Sequence, residues 1–458
     1  MEPNTATQTP VKDNGVVTPH SGSVREVLLM SGPLVVAFLS FSLMSIVDTL
    51  IIGRVGTLQQ GAVGLGGMLA WMLGTIFTGT MTVINTLVAQ DHGAGRYANL
   101  RRHVHVGLLF IGPFVALIWL VVPYMPQLIE LFGTDPAVAG YADLYISIRL
   151  LAMPLLLANF AFSSFLRGLG DMRMQMFVTV AANLINAALS IVLVFGYFGL
   201  PRMGVAGLAI GSVLAAMCET AMYMKNYFSR ANHDRFQTRT WLRPTLADIG
   251  QFMKIGLPIG LSWFFDILGW TFFTVFASTL SPVDLAAHTI VFQLLHLSFL
   301  PTAAVSVVAT TLVGQYLGAR RLDLAERAAR RTLWVGVGYM AFAGMMMILF
   351  RRPLIGLFNP DVAVIAVGAK IAIVAGIFQP GDGLWMVISG VLRGGGDTRF
   401  PMIAILLSSL CVFVPAVYLL GSHYGILGAW LGALVHVFFF AVVISLRYRQ
   451  GRWKKALV

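Results

Sequence analysis

The sequence predicts an all-α membrane protein in which twelve transmembrane helices form two six-helix lobes. Three observations support this prediction: the composition, the number of long apolar segments and an internal repeat. Of the 458 residues, 57% are hydrophobic and only 11% are charged, whereas about a quarter of the residues in a soluble domain are charged. So few charged residues cannot cover a water-exposed surface, and the composition therefore excludes an ordinary soluble protein.

The apolar segments are long enough to cross a bilayer, because about 20 apolar residues in a helix span a hydrocarbon core of about 30 Å. Twelve such segments follow one another with short loops between them, which leaves no room for a large extramembrane domain. In chain order, the predicted spans are 33–53, 63–87, 105–124, 139–158, 174–195, 203–227, 252–279, 286–311, 333–350, 364–389, 401–420 and 425–447.

The two halves of the chain repeat each other at a nearly constant distance. "LVAQDHGAGR" (87–96) matches "LVGQYLGARR" (312–321) 225 positions later, and "FLRGLGDMR" (165–173) matches "VLRGGGDTR" (391–399) 226 positions later. Each half contains six spans, an even number, so both halves enter the membrane from the same side and a pseudo-two-fold axis along the membrane normal relates them. In such proteins the substrate site lies between the halves near the bilayer midplane, and the architecture favours alternating access.

Polar segments flank and separate the two halves. The first segment is rich in Thr, Pro and Ser and lacks the apolar core of a signal peptide, so we expect it to be a disordered tail. The predicted organisation is a cytoplasmic tail at 1–24, an N-terminal lobe at 25–224, a cytoplasmic connector at 225–250, a C-terminal lobe at 251–447 and a cytoplasmic tail at 448–458.

The basic residues are concentrated on one side of the predicted membrane. Of the 31 Lys and Arg, 25 lie in the tails and in the loops that follow even-numbered spans. By the positive-inside rule, both termini are then cytoplasmic, and the multi-pass chain lies in the plasma membrane, which is the inner membrane in a Gram-negative cell. The net charge of +12 is therefore explained by topology and by contact with anionic lipid headgroups rather than by nucleic acid.

Three acidic residues inside predicted spans are candidate ion sites, because an ionised carboxylate costs roughly 2.5–3.5 kcal/mol there. They are Asp48 in span 1, Asp266 in span 7 and Asp382 in span 10. Away from the span ends only Arg149 and Lys370 are basic, so at most two of the acids can be neutralised by ion pairs. A carboxylate at this depth can exchange a proton or hold Na⁺, and a cationic substrate competes for the same charge, which produces antiport. We therefore expect ion coupling at all three acids, with Na⁺ on those of the second half if sodium is the ion.

Span 10 contains the stretch "QPGDG" (379–383) around Asp382. Pro380 removes a backbone hydrogen-bond donor and the two glycines add conformational freedom, so we expect the helix to be kinked or unwound there. The freed carbonyl groups would then lie next to the acid, where they are suitable ligands for a hard cation. Pro154 in span 4 and Pro258 in span 7 are expected to produce simple kinks.

A polar cluster in the first half is a further candidate ion site. Asn186 and Ser190 lie four residues apart on span 5 and therefore share one helix face. Ser212 of span 6 could join them and Asp48 around a Na⁺ ion. Small polar residues in membrane helices also stabilise helix contacts without binding an ion, and this alternative stays open.

Candidate substrate contacts surround the two acids of the second half. Trp263 and Phe265 lie shortly before the acid of span 7 and could stack on a flat cation. Gln293 and His296 lie on one face of span 8 and could line the same cavity. We predict a substrate site formed by these four residues together with Asp266 and Asp382.

The loops "RGLGD" (167–171) and "RGGGD" (393–397) resemble phosphate-binding loops at first sight. They lack a preceding strand and a following Lys-Ser or Lys-Thr pair, so a nucleotide site is not expected. We predict tight cytoplasmic turns in which the Arg and the Asp of each loop pair. No nucleophile–base pair or metal cluster indicates an enzyme, and no cofactor is expected beyond Na⁺ or H⁺ as coupling ion.

Taken together, these motifs resemble the multidrug and toxic compound extrusion (MATE) family. The resemblance covers about residues 25 to 447 and depends on the order and spacing of several short stretches. They are the paired "LVAQDHGAGR" and "LVGQYLGARR", the paired "FLRGLGD" and "VLRGGGD", and "AAHTIVFQ" (286–293) in span 8.

Three further stretches resemble the NorM branch of that family: "SIVDTLIIG", "FFDILGW" and "FQPGDGLW". They imply that Asp48, Asp266 and Asp382 bind Na⁺ or H⁺ and help to release a cationic drug. Asp266 departs from the branch, which usually has Glu there. Arg149, in "YISIRLLAMP", resembles the DinF branch instead. It could pair with Asp143 or reach an acid of the cavity.

The resemblance implies a monomeric secondary antiporter that exports amphipathic, mostly cationic drugs or toxins in exchange for inward Na⁺ or H⁺. Its partners would be small-molecule substrates and the lipid bilayer. One alternative is a lipid-linked precursor flippase of the same superfamily, which would need a cavity rich in Arg and Lys. Another is a non-transporting membrane scaffold, which would not need three acids inside its spans.

Overall fold

The structure, a computed structural model, describes residues 22–130 and 136–454. Within these two ranges the chain forms α-helices joined by short turns and contains no β-strand. Most of the predicted tail at 1–24 and the last four residues of the predicted tail at 448–458 lie outside the described residues.

The helices follow the order of the predicted spans. Those of the first half are α1 (Val24–Gly53), α2 (Thr57–Met81), α3 (Val83–Gly93), α4 (Tyr97–Val121), α5 (Met125–Glu130), α6 (Pro136–Leu151), α7 (Met153–Leu169), α8 (Met172–Phe195) and α9 (Gly204–Tyr227). The connector contains α10 (Arg230–Phe236). Those of the second half are α11 (Leu246–Ser278), α12 (Pro282–Gly318), α13 (Leu322–Leu349), α14 (Arg351–Gly356), α15 (Val362–Gly394), α16 (Arg399–Ser408) and α17 (Val414–Arg449).

Twelve membrane crossings can be assigned to these helices. Ten helical segments of the described chain are long and apolar enough to cross a membrane, and α6 with α7 makes an eleventh that is bent by 49°. The last of the ten, from Arg399 to Arg449, is 51 residues long, which is enough for two crossings. Its backbone leaves helical geometry at Gly425 (φ 62°, ψ −149°), and this turn separates spans 11 and 12.

Prolines have different effects in spans 4 and 10. The bend between α6 and α7 lies at Ala152, just before Pro154, where a kink was expected. In contrast, α15 stays helical through Pro380, so the prediction of an unwound segment is wrong. Here the two flanking glycines serve close packing: Gly381 lies against α17, and a Cβ on Gly383 would come within 2.9 Å of Met340 on α13. Helices packed this closely hold the backbone in place around a missing hydrogen bond.

The two halves meet through α2 and α3 on one side and α11 and α12 on the other, while α1 crosses to pack against α12 and α13. One face of the molecule contains the start of α1, the end of α17 and the turns at 94–96, 170–171 and 395–398. We call it the terminal face. At this face α3 and the end of α12 lie in direct contact, so the halves are closed against each other there.

Two reciprocal hydrogen bonds close the terminal face. The Gln90 side chain donates to the carbonyl oxygen of Gly394 in the other half (2.7 Å), and Gln315 donates to that of Gly168 (2.8 Å). Gln90 and Gln315 are equivalent positions of the repeat, as are the two glycines, so the pseudo-two-fold axis relates these contacts. We call these four residues the glutamine clasp. Thr311 adds a further bond between the halves, to Asn85.

The "RGLGD" and "RGGGD" loops do not contain the predicted Arg–Asp pairs. Arg167 donates instead to Gln175 (2.9 Å), and Asp171 caps the start of α8 by accepting from the Met174 amide (3.0 Å). Asp397 pairs with Arg447 of α17 (2.7 Å). The loops are tight turns, with Gly170 and Gly396 at positive φ (87° and 79°), and the turn directs each acid away from the arginine of its own loop.

The Asp397–Arg447 pair makes two hydrogen bonds (2.7 and 3.2 Å), and both side chains are only 14% exposed. We expect Arg447→Gln to destabilise the protein by about 1.5–3 kcal/mol, the usual contribution of hydrogen bonds to a charged group. Thermal unfolding in detergent measures this loss. The control is Arg321→Gln, because the Arg321–Asp323 pair is 58% and 57% exposed and should contribute little. Equal melting temperatures for the two variants would contradict the prediction.

The C-terminal segment packs onto the turn that follows α15. Trp453 is 1% exposed, stacks on Tyr448 and donates its indole N–H to the Tyr448 carbonyl (3.1 Å). A Cβ on Gly395 would overlap the carbonyl oxygen of Trp453, so the two backbones are in direct contact. Gly395 directly follows the clasp residue Gly394, and the segment therefore supports the glutamine clasp from outside.

The connector folds against the first half. Arg101 of α4 donates to the carbonyl oxygen of Gln237 (3.1 Å) and to Thr240 (2.7 Å). His105 stacks on Trp241 with a ring distance of 4.4 Å. These contacts hold the chain between the halves along the terminal face.

Candidate ion and substrate site

Two carboxyl groups face each other in the second half, one from α11 and one from α15. Asp382 accepts a hydrogen bond from the indole N–H of Trp385 (2.7 Å), three residues further along its helix. Asp266 lies near Trp270, four residues along its own helix, and its charge interacts with that of Asp382. Spacings of three and four residues place each indole on the same helix face as its acid. The indole of Trp385 therefore orients Asp382, and that of Trp270 lies beside Asp266.

The negative charge of this pair is not compensated by a base. Within residues 22–130 and 136–454, no ion pair joins Asp266 or Asp382 to a basic side chain. Lys370 is exposed on α15. An unpaired carboxylate inside a membrane is costly, and such groups commonly mark ion or substrate pathways. The arrangement suits binding of a proton or a small cation.

The predicted substrate contacts are not all brought to the acids. Trp263 lies against Gly79 of α2, at the seam between the halves, and a Cβ on that glycine would come within 3.4 Å of the indole. Phe265 is partly buried against the hydrophobic core that α12, α13 and α15 build in the second half. Gln293 and His296 are exposed on one face of α12, and neither is hydrogen-bonded to an acid in the described chain. The acids with their two indoles thus form the core of the site.

The first half places Asp48 of α1 in a different setting. One of its carboxylate oxygens is buried and has no hydrogen-bond partner, and the charge that acts on it comes from Arg149 of α6. Arg149 makes no ion pair with Asp143 in the part of the chain that the structure describes, so that predicted pairing is wrong. The span-4 arginine instead acts on a cavity acid, the other possibility considered above.

The polar cluster near Asp48 is only partly assembled. Ser190 donates to Asn186 (3.0 Å), as their spacing predicts. Ser212 donates to the Leu208 carbonyl of its own helix (3.1 Å). No hydrogen bond links these three side chains to Asp48 within the described ranges. Their hydrogen bonds go to one another or to the backbone of their own helix, which agrees with the alternative that they stabilise helix packing.

Sequence reasoning missed a fourth acid inside a span, Glu219 of α9. Its carboxylate accepts a hydrogen bond from the Asn159 amide of α7 (2.9 Å). Asn159 in turn accepts from the Thr220 hydroxyl (2.7 Å). The signal was present, since Glu219 interrupts the apolar segment 203–227 and meets the criterion that selected the other three acids.

Comparison with known proteins identifies the family. The sequence model of the MatE family matches the chain twice, over residues 33–192 and 258–419. The chain belongs to the MatE family. The two matches coincide with the two halves of the internal repeat. Together they cover well over half of the chain, so the MatE assignment applies to both lobes.

Curated relatives align with almost the whole MatE chain. Multidrug resistance protein PmpM of Pseudomonas aeruginosa is 30% identical over 444 residues, covering 93% of this chain and 91% of its own length. The probable multidrug resistance protein NorM of Rhizobium meliloti is 28% identical over 438 residues, covering 93% and 92%. Membership of this family makes the chain a membrane transporter of the efflux type and not an enzyme.

Solved structures agree on the fold. A mutant of the Vibrio cholerae MATE transporter VcmN superposes with a TM-score of 0.85 at 18% identity, covering 93% of this chain and 96% of that one. The eukaryotic MATE transporter AtDTX14 gives 0.84 at 19% identity, covering 94% and 96%. The twelve-helix, two-lobe MatE architecture predicted from the sequence is thereby confirmed.

Proposed function

We propose that the chain is a secondary antiporter that exports amphipathic, mostly cationic drugs or toxins in exchange for inward H⁺ or Na⁺. Relatives named as multidrug resistance proteins along nearly the full chain support an efflux role. The observation that supports ion exchange most directly is the pair Asp266 and Asp382, whose charges interact and which have no basic partner among the described residues.

Competition for this negative charge couples the two fluxes. A cationic substrate and the coupling ion are both attracted to the same carboxylates, and one carboxylate cannot neutralise both. Binding of the ion therefore displaces the substrate, and binding of the substrate displaces the ion. Alternating access then moves the two cations in opposite directions, because the halves expose the site to one side of the membrane at a time.

The distribution of Lys and Arg supports a cytoplasmic terminal face and cytoplasmic termini. Because the glutamine clasp closes that face, we infer that in this conformation the site opens to the outside. In it, H⁺ or Na⁺ would enter and the drug would leave. We also propose that residues 25–224 and 251–447 form the two lobes and that 225–250 connects them. The transporter would be a monomer in the plasma membrane.

The first half contributes a second coupling group. The charge of Arg149 interacts with that of Asp48. When Asp48 is protonated, the positive charge of Arg149 is no longer balanced by it. Protonation of Asp48 would therefore weaken cation binding in the same cavity. Asn186, Ser190 and Ser212 support this region, and with Asp48 they supply oxygen ligands if the ion is Na⁺.

Efflux from proteoliposomes tests the proposal. We expect a fluorescent organic cation to move against its own gradient when an opposing Na⁺ or pH gradient is imposed, without ATP. An ionophore that collapses the effective gradient should stop the movement, and liposomes without protein provide the blank. Substrate flux that is identical with and without either gradient would contradict antiport.

A further inference from the structure

We propose that Glu219 is a proton-binding site of the first half, separate from Asp48, Asp266 and Asp382. The inference rests on the proposed ion exchange and deepens it. It adds a group that accepts and releases a proton nearer the terminal face. The acid lies in a helix that is long and apolar enough to cross the membrane, and it has no role in the site described above.

Glu219 faces the interior of its lobe. It shares one face of α9 with Ser212 and Tyr223, seven residues before and four residues after it, and both are buried (4% and 2% exposed). Leu214 and Met217, which lie on the other side of the helix, are 38% and 51% exposed. The carboxyl group therefore points between helices and not into lipid.

The depth of Glu219 differs from that of Asp48. Glu219 is fifteen residues from the start of α9 at the face opposite the terminal face, and Asp48 is five residues from the end of α1 at that same face. At 1.5 Å per residue the two acids differ in depth by about 15 Å. Glu219 is also about 12 Å from the end of α9 at the terminal face. It lies between Asp48 and the terminal face.

The immediate partners of Glu219 are neutral. The Thr220 hydroxyl donates to the Asn159 oxygen (2.7 Å), which orients the amide so that its nitrogen donates to Glu219 (2.9 Å). The charges of Glu219 and of Arg167 on α7 both act on Tyr223, four residues along α9 from the acid. In the described chain, α1, α2, α6, α8 and α10 contribute no ion pair to the acid.

This environment suits reversible protonation. A permanent ion pair would hold the acid in its charged form, and an apolar pocket without a donor would hold it neutral. Glu219 has one well-oriented amide donor, which can bond either form of the carboxyl group. The proton is held as the carboxylic acid O–H, and its release leaves the carboxylate with the Asn159 hydrogen bond.

A line of polar side chains connects the level of Asp48 with that of Glu219. On α8, four of them follow at spacings of three and four residues and so share one face: Thr179, Asn183, Asn186 and Ser190. Asn183 donates to Ser40 of α1 (2.8 Å), and Thr179 is bonded to Tyr223 (3.4 Å). These groups place hydrogen-bonding atoms at successive depths between the two acids.

Infrared difference spectroscopy of the purified transporter at stepped pH tests the proposal. The chain contains only five glutamates, so glutamate with a heavy carbon isotope in its side-chain carboxyl group shifts their bands and leaves the aspartates of the spans unshifted. We expect one labelled carboxylic-acid band to be present at low pH and to disappear as the pH is raised. It should be lost in both Glu219→Gln and Glu219→Asp, because the aspartate keeps a carboxyl group but is not labelled.

Glu26→Gln is the matched control. Glu26 is also buried (5% exposed), but it accepts a hydrogen bond from Tyr316, and its replacement should leave the titrating band in place. A labelled band that survives in both Glu219 variants, or the absence of any titrating glutamate band, would overturn the proposal. So would a pH profile of efflux that is the same in Glu219→Gln and wild type. The spectrum is read without transport, so failure of antiport and failure of this site are distinguishable.

Discussion

We expect Asp382→Asn to abolish ion-driven efflux in proteoliposomes. The amide has almost the same shape and still accepts the Trp385 hydrogen bond, but it cannot attract a cation. A cation about 4 Å from a carboxylate gains about 4 kcal/mol at an effective dielectric constant of about 20. Even if only a third of this attraction is lost, ion binding weakens about tenfold. Efflux under an imposed Na⁺ or pH gradient measures the loss, and we expect the same result for Asp266→Asn.

The control for these variants is Asp323→Asn. Asp323 is also acidic but lies at the terminal face, where it is 57% exposed and paired with Arg321, so its loss should leave efflux close to wild type. Undiminished gradient-driven efflux in both Asp266→Asn and Asp382→Asn would remove these acids from the coupling mechanism.

We expect Gly93→Ala to disfavour closure of the terminal face. A Cβ on Gly93 would overlap the carbonyl oxygen of Gln315, and a Cβ on its repeat partner Gly318 would overlap that of Gln90. Forcing a methyl group into such a contact costs about 1–3 kcal/mol, which changes the ratio of closed to open molecules by about 5–150-fold. We expect a matching loss of efflux and faster amide hydrogen exchange in α3 and at the end of α12.

Gly338→Ala provides the comparison, since nothing lies within 4 Å of a Cβ at that position of α13. It should leave both efflux and exchange unchanged. Gly318→Ala should reproduce the effect of Gly93→Ala, because the pseudo-two-fold axis relates the two positions. Hydrogen exchange at wild-type rates in both Gly93→Ala and Gly318→Ala would show that closure of the terminal face does not depend on these contacts.

The sequence predicted the architecture because its signals are local and repeated. Apolar length determines the spans, and the constant offset of 225 to 226 residues predicts two equivalent halves. The same offset marked Gln90 and Gln315, but their role could not be read from it. Each bonds to a backbone carbonyl group more than 140 residues away, and no sequence pattern identifies a carbonyl acceptor in the other half.

The errors concern residues whose chemistry allows two uses. The glycines around Pro380 could have loosened the helix, but in the structure they allow α13 and α17 to approach it closely. The Arg and Asp of the "RGLGD" loop are close in sequence, yet the positive φ of Gly170 directs Asp171 to the start of the next helix. Glu219 was missed only because the criterion applied to the other acids was not applied to span 6.

The contact between Trp453 and Gly395 bears on how this transporter is handled in the laboratory. An affinity tag fused directly after residue 454, or a truncation that removes Trp453, would disturb the turn that follows the clasp acceptor Gly394. Such a change lies outside the membrane and away from the substrate site, yet it would change the stability of the closed terminal face. Purification handles are therefore better placed at the other end of the polypeptide.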